Sequence, residues 1–250
     1  MRGFSAHELL DIWDQGQPLL PCRRAMLLLA SACPEYSCER IDSLSIGQRD
    51  ALLAQIRTST FGSDVMSVVN CPACGEMIEV CADVRSLFHG SPREDSSGEQ
   101  LRPPLRIEAG EFLVHAALPT VQDLEAIATA VTLTEGHRIL WQRCILYTER
   151  HGEVCAADEL PEDVCALIDS RMAEADPLGN VQLALECPGC RHRWAVLFDI
   201  LSFFWSEIHL VARRLLEEVH ALASAYGWTE SEILTLSPTR REAYLEMVGR

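Results

Sequence analysis

Basic residues are scarce in this sequence, and their scarcity argues against one broad class of function. The 250 residues include 21 basic and 37 acidic side chains, which gives a formal net charge of −16 at pH 7. A protein with a general affinity for nucleic acid neutralises phosphates with a basic surface. The composition therefore argues against nucleic acid as a partner. We expect such an acidic protein to bind other proteins or a basic segment.

Long apolar runs are also missing. No stretch approaches 18 consecutive apolar residues, and residues 1–8 lack the basic start and apolar run of a signal peptide. We therefore expect a soluble protein with no membrane partner and no export by the general route. The 11 cysteines are odd in number, and 48% hydrophobic residues suffice for a core without disulfides. These features indicate a reducing compartment, the cytoplasm.

The motifs of common enzyme classes are absent as well. The sequence has no H-E-x-x-H, no G-x-S-x-G, no G-x-x-x-x-G-K-S/T and no dinucleotide fingerprint. Paired carboxylates such as Glu217 and Glu218 fall in an amphipathic helical stretch, where a solvated face is expected. We predict that the protein is not an enzyme.

Two short segments of the chain are copies of each other. Cys71-Pro-Ala-Cys74 and Cys187-Pro-Gly-Cys190 lie 116 residues apart, and the match extends in register to Asp83-Val84 and Asp199-Ile200. Alternating apolar residues follow each C-x-x-C pair, a pattern typical of a strand that leaves a tight turn. The repeat therefore predicts two equivalent β-hairpins.

Each predicted hairpin carries half of a zinc site. We call the hairpins the first knuckle (63–88) and the second knuckle (180–200). A C-x-x-C pair at a tight turn is a half-site, and two halves supply the four thiolates of a closed tetrahedral site. The predicted ligands of one structural zinc ion are Cys71, Cys74, Cys187 and Cys190. A closed site leaves no position for water or substrate, so we expect the metal to clamp the chain and to do no chemistry.

Other interpretations of these cysteines remain open. They could be unrelated buried cysteines or a catalytic redox pair, although a thioredoxin-like motif would place the first cysteine at a helix N-terminus. Cys81 and His192 lie near the knuckles along the chain. Cys81 matches Leu197 in the second copy, which favours core packing. His192 matches Glu76, which favours a solvated group or one that only orients a ligand.

The predicted fold class is α+β, mainly helical, with the two knuckle hairpins joined into one four-cysteine zinc ribbon. In the N-terminal segment (1–62), helices are predicted to start after Ser5, at Pro21 and at Gln48. In the C-terminal segment (201–250), a long helix is predicted to end at Gly227 and to precede capped helices after Thr229 and Ser237.

The region between the knuckles is predicted to have two parts. A linker (89–104) is rich in Ser, Gly, Pro and charge. The insertion (105–179) begins with a hairpin that turns at Ala109-Gly110 and is otherwise expected to be helical. The helices predicted in the insertion cover 121–131, 135–148 and 161–173.

A basic pair near the C-terminus is unusual in so acidic a chain. Arg240 and Arg241 lie close to Tyr244 along the predicted last helix. They could dock carboxylates of a partner, and simple salt bridges to the glutamate-rich long helix are the alternative. We name these three residues as a candidate partner-binding site.

Several segments resemble the zinc-knuckle protein family of T-even-type phage baseplates, which has relatives in phage-tail-like contractile injection clusters. The resemblance is carried by these segments: His7-Glu-Leu-Leu-Asp-Ile-Trp-Asp-Gln-Gly16, Arg24-Ala-Met-Leu-Leu-Leu-Ala30, Ile46-Gly-Gln-Arg-Asp-Ala-Leu-Leu53, Phe61-Gly62, Cys71-Pro-Ala-Cys-Gly75 and Tyr226-Gly-Trp-Thr-Glu-Ser-Glu-Ile-Leu-Thr-Leu-Ser-Pro-Thr-Arg-Arg-Glu-Ala-Tyr-Leu245. Nothing specific matches between about residues 89 and 179.

This resemblance implies a role in building the hub and spike of a contractile tail. The protein would bind other baseplate, hub or spike proteins, either as an assembly chaperone or as a minor subunit of the particle. The runner-up hypothesis is a zinc-ribbon factor that binds nucleic acid or acts in transcription, and the third is a C-x-x-C thiol oxidoreductase. The negative charge argues against the runner-up.

Overall fold

The computed structural model describes residues 2–89 and 104–249, which form an α+β fold. The chain begins with four helices: α1 (Ala6–Gly16), α2 (Pro21–Ala32), α3 (Cys38–Asp42) and α4 (Ile46–Phe61). Ser5 and Glu8 form the predicted capping box of α1, and Pro21 starts α2. The third predicted helix is α4, which begins two residues earlier than expected because Ser45 and Gln48 form another capping box.

The first knuckle follows α4 directly. Its strands β1 (Asp64–Asn70) and β2 (Met77–Asp83) form an antiparallel two-stranded sheet, and the short helix α5 (Val84–Leu87) comes next. The strands agree with the predicted alternation. The predicted linker lies outside the described residues except at its two ends, residues 89 and 104.

The insertion contains more β-structure than predicted. It forms a four-stranded antiparallel sheet in the order β3-β4-β5-β6, with three helices. The prediction of a helix through Thr148 is wrong, because the helix ends at Cys144 and a strand pairs with β4 from Ile145 onward. The elements of the insertion are β3 (Leu105–Ala109), β4 (Phe112–Ala116), α6 (Val121–Ile127), α7 (Leu133–Cys144), β5 (Ile145–Arg150), β6 (Glu153–Val154) and α8 (Glu162–Ala175).

The second knuckle and the C-terminal helices complete the fold. Strands β7 (Gln182–Glu186) and β8 (Arg193–Leu197) form another two-stranded sheet, followed by α9 (Ile200–Tyr226), α10 (Glu230–Thr235) and α11 (Pro238–Val248). Gly227 ends α9 with a left-handed φ of 70°, as predicted. Thr229 and Glu232 form the predicted capping box of α10.

The main core lies among α1, α2, α4 and α9. We call these four helices the helical body; Leu28, Leu53, Phe204 and Ile208 are fully buried in it. A separate small core in the insertion packs α8 against β3 and β4. Within the part of the chain that the structure describes, no helix combines the length and the apolar character that crossing a bilayer requires.

Candidate metal centre

The first knuckle presents its two cysteines on a tight turn between β1 and β2. The N–H of Cys71 donates to the carbonyl of Glu76 at 2.8 Å, and the N–H of Gly75 donates to the carbonyl of Cys71 at 2.8 Å. Gly75 has φ 76°, a conformation that glycine adopts without strain. The turn therefore brings Cys71 and Cys74 to the end of the hairpin.

The second knuckle has the same backbone. The N–H of Cys187 donates to the carbonyl of His192, and the N–H of Arg191 donates to the carbonyl of Cys187, both at 2.9 Å. Arg191 occupies the position of Gly75 and has φ 60°. The strand registers also coincide: Met66 faces Cys81 in one copy, and the equivalent Gln182 faces Leu197 in the other. The prediction of two equivalent hairpins is confirmed.

The four cysteine sulfurs meet between the two knuckles. Their Sγ atoms all lie within 4.8 Å of one another, and Cys71–Cys190 and Cys74–Cys187 are each 3.6 Å apart. Tetrahedral coordination with Zn–S bonds of about 2.3 Å places the sulfurs about 3.8 Å apart. The arrangement is thus compatible with one zinc ion, with two ligands from each knuckle.

Hydrogen bonds and burial act in opposite directions on these thiols. Burial raises the pKa of Cys71, but the N–H groups of Cys74 and Ala73 donate to its sulfur and bring the pKa down to about 7. At Cys187 the N–H of Cys190 favours the thiolate, but burial and the Cys74 thiol outweigh it and raise the pKa to about 12. Sulfurs this close cannot all ionise unless a cation offsets their charge. A divalent ion would satisfy that requirement.

The side chains around the sulfurs differ between the two copies. Glu76 reaches across from the first knuckle, with its carboxylate 3.5 Å from the sulfur of Cys187. It lies over Gly189, where a Cβ would collide with it. His192, at the position equivalent to Glu76, is exposed and stacks on Trp194. His192 therefore lies outside the sulfur cluster, in agreement with its interpretation as a solvated group.

Cys81 does not pack in the core. Its side chain is exposed, and it is not part of the four-sulfur cluster. The prediction of core packing is wrong because the side chain of Cys81 alternates with those of Val80 and Ala82 and projects from the opposite face of β2.

The repeat extends beyond the strands into the helices that follow them. Asp83 caps α5 and accepts a bond from Ser86, and Asp199 caps α9 and accepts the equivalent bond from Ser202. The next residue in each copy, Val84 or Ile200, is fully buried. Each knuckle is therefore joined to a helix N-terminus, and an apolar anchor follows it.

Sequence reasoning missed Arg57, which ties the first knuckle to the helical body. Its guanidinium is buried and forms an ion pair with Glu207 of α9 at 2.6 Å. It also donates to the carbonyls of Gly62 and Asp64, at the base of the first knuckle. An arginine on a helix face gives no local signal of such a role, because its carboxylate partner, Glu207, lies 150 residues away in the chain.

The candidate partner-binding residues have different environments. Arg241 is buried and bonds to Glu218 at 3.0 Å, which matches the alternative interpretation of a salt bridge to the long helix. Arg240 is exposed. Tyr244 packs against Trp228 with ring centroids 4.9 Å apart and an edge-to-face geometry. Partner binding by these residues stays a prediction.

A comparison with models of protein families shows which family this chain resembles. The model of a family described as T4 bacteriophage base plate protein matches residues 24–205, which include both knuckles and the whole insertion. The chain belongs to this family. The match therefore places the four cysteines and the insertion within the region that characterises the T4 baseplate family. Two of the segments that carry the sequence resemblance to the baseplate family, residues 7–16 and 226–245, lie outside the matched region.

The comparisons with curated proteins and with solved structures returned no match to this member of the T4 baseplate family.

Proposed function

We propose that the protein is a non-catalytic component of a contractile tail baseplate, stapled by one structural zinc ion, that binds other tail components during assembly. The family match and the cluster of four sulfurs support this proposal. It acts in assembly of the hub, either as a chaperone or as a minor subunit that stays in the particle.

The four sulfurs are the observation that carries the zinc assignment. Four thiols within 4.8 Å of one another form a donor set that zinc prefers, and both halves come from tight turns with equivalent hydrogen bonds. Zinc bound there joins segments more than 100 residues apart in sequence into one ribbon. With four protein ligands it has no open position for a substrate.

A redox function fits the local structure less well. Each C-x-x-C turn is followed by a strand, β2 or β8, and not by a helix whose dipole would favour a reactive thiolate. The close contacts at 3.6 Å join Cys71 to Cys190 and Cys74 to Cys187, so they lie between the motifs. Such cross-pairing suits a shared metal ion.

Metal analysis of the purified protein tests the zinc assignment. We expect one zinc per chain by elemental mass spectrometry and loss of that zinc in Cys71→Ser. Cys81→Ser should keep the metal, because Cys81 is exposed and outside the cluster. A metal-free protein that turns over a disulfide substrate would refute the assignment in favour of the oxidoreductase.

Co-purification tests the role in assembly. The tagged full-length protein, expressed together with the tail genes of its own cluster, should bring down hub or spike proteins. Deletion of its gene should reduce the number of contractile particles seen by electron microscopy. Normal particles in the deletion strain would refute the proposal. Retention of nucleic acid by the purified protein at moderate salt would favour the transcription-associated alternative.

A further inference from the structure

The outer faces of the two knuckles differ although their backbones are equivalent. The outer face of the first knuckle is the set of alternating residues Met66, Val68, Asn70, Met77, Glu79 and Cys81. The equivalent residues of the second knuckle are Gln182, Ala184, Glu186, Arg193, Ala195 and Leu197. Because the fold tolerates either set, the apolar character of the first set is not needed to form the hairpin.

The apolar side chains of the first set are strongly exposed. Met66 is 69% exposed, Val68 57% and Met77 74%. They are neighbours on two paired strands, so they form one contiguous patch. On the second knuckle Leu197 is 59% exposed, but Ala184 replaces Val68, and Glu186 pairs with Arg193, the counterpart of Met77, at 2.7 Å. The patch is small, but the hairpin does not need it, and methionine adapts its shape to a partner.

The size of the patch favours a single segment over a second copy of the chain. Strands of 7 residues, two side by side, give a face of roughly 200 Å² at ~3.4 Å per residue and ~4.8 Å per strand. Two copies packed on this face would bury far less than the roughly 1,200 Å² of a stable dimer. One extended or helical segment of a partner covers such an area.

The charge of this face indicates the chemistry of that segment. Glu79 lies within the patch, and Asp64 and Asp83 lie at its base on the same two strands. No basic residue is among the six that form the face. A basic segment is therefore electrostatically complementary to it, as the overall charge of −16 also favours.

We propose that the outer face of the first knuckle docks a segment of another tail protein that combines apolar and basic residues. The identity of the partner as a tail protein rests on the proposed function, whereas the chemistry of the segment follows from the face itself. The docking face begins at Met77, three residues after Cys74, so the metal centre at the tip of the knuckle holds that end of the site in place.

Peptide binding tests the chemistry directly. Labelled short peptides of alternating leucine and lysine, or of alternating leucine and glutamate, are titrated with full-length protein at physiological salt by fluorescence anisotropy. We expect the lysine peptide to bind at least about tenfold more tightly than the glutamate peptide. The double variant Met66→Gln with Met77→Gln should weaken binding of the lysine peptide about tenfold, because it removes two apolar anchors. Glu79→Lys should weaken it as well.

Matched variants control for non-specific binding to exposed apolar side chains and for the change in net charge. Val131→Gln with Leu133→Gln removes two side chains that are 90% and 95% exposed in the insertion, and it should leave binding unchanged. Glu153→Lys makes the charge change of Glu79→Lys on an exposed strand of the insertion. Equal weakening by the control and the test variants would overturn the proposal. If the double methionine variant loses zinc, Met66→Gln alone, farther from the cysteines, is tested instead.

Further outcomes separate this inference from the proposed function. If tail components bind the wild type and the double methionine variant equally, the docking site is wrong and the proposed function stands. If no tail component binds the wild type but the lysine peptide still binds this face, the proposed function fails and the docking chemistry stands. A wild-type dimer that the methionine variant abolishes would overturn the proposal in favour of a second copy.

Discussion

The helical body and the pair of knuckles differ in how much side-chain surface they bury. Phe204, Leu28 and Leu53 in the body are completely buried. In contrast, β2, β7 and β8 alternate between exposed and partly exposed residues, and none of their side chains is fully buried. The buried residues at the tips of the knuckles are Cys71 and Cys187. The body is therefore stabilised by apolar burial, whereas these knuckle strands bury little apolar surface, so we expect the proposed zinc ion to stabilise them.

Loss of a metal ligand should have the largest effect, and it should be confined to the knuckles. Cys187→Ser removes the metal, whose binding is worth roughly 10–16 kcal/mol in isolated zinc-finger peptides and only part of that in a larger fold. We expect rapid hydrogen exchange in both hairpins and unchanged exchange in α4 and α9, measured by mass spectrometry. Cys81→Ser is the control. Protected hairpins in metal-free Cys187→Ser would show that they fold unaided.

Truncation of a buried side chain in the helical body should destabilise the body and leave the metal site intact. Phe204→Ala leaves a cavity in the helical body and should lower the free energy of unfolding by about 3–5 kcal/mol. The remaining folded protein should still bind one zinc per chain, as checked by urea unfolding and metal analysis. Leu210→Ala, on the same helix but 68% exposed, should change stability little. Loss of zinc from folded Phe204→Ala would mean that the two regions are not separable.

Arg57→Ala should weaken the attachment of the first knuckle to the helical body. It leaves Glu207 without its ion-pair partner and the carbonyls of Gly62 and Asp64 without a donor, at a cost of about 3 kcal/mol. Hydrogen exchange should increase at the base of the first knuckle more than at the base of the second. Arg213→Ala, an exposed change on α9, is the control. Equal exchange at the bases of both knuckles would contradict the role of Arg57 in attaching the first knuckle to the helical body.

Protonation of Glu8 should have the smallest effect, and it should be limited to the body. A hydrogen bond from Arg2 lowers the pKa of Glu8 to about 2 from its ordinary value of 4.5. The stabilisation is therefore present above pH 4.5 and is lost as the pH falls toward 2. Because both side chains face solvent, Glu8→Gln should cost less than about 1 kcal/mol at pH 7 and less still at pH 3. Urea unfolding at the two pH values measures the difference, which would be constant if the ionised carboxylate of Glu8 contributed nothing.

Local signals in the sequence predicted the knuckles, the starts of α1, α2 and α10 and the end of α9, but not the end of α7. Capping boxes, Pro21 and Gly227 act within a few residues of the ends that they determine, so they are readable without the fold. The duplicated C-x-x-C context predicted that distant cysteines would meet, because equal sequences form equal turns. Those signals account for the elements that hold the four sulfurs.

Features that depend on distant pairing were not predictable in the same way. Ile145 to Thr148 continues the apolar pattern of α7, and pairing with β4 is what makes it a strand. The exposure of Cys81 depends on which face of β2 meets the body. Arg57 pairs with Glu207 of α9, which lies 150 residues away in the chain. Each of these outcomes is decided by contacts between segments that lie apart in the chain.

The helices that follow the strands of the two knuckles differ greatly in length. The helix after β2 has 4 residues, whereas the helix after β8 has 27 and is about 40 Å long at a rise of 1.5 Å per residue. One uninterrupted helix thus runs from ten residues beyond Cys190 to the aromatic rings around Trp228. Two partners bound at its opposite ends would therefore be held about 40 Å apart.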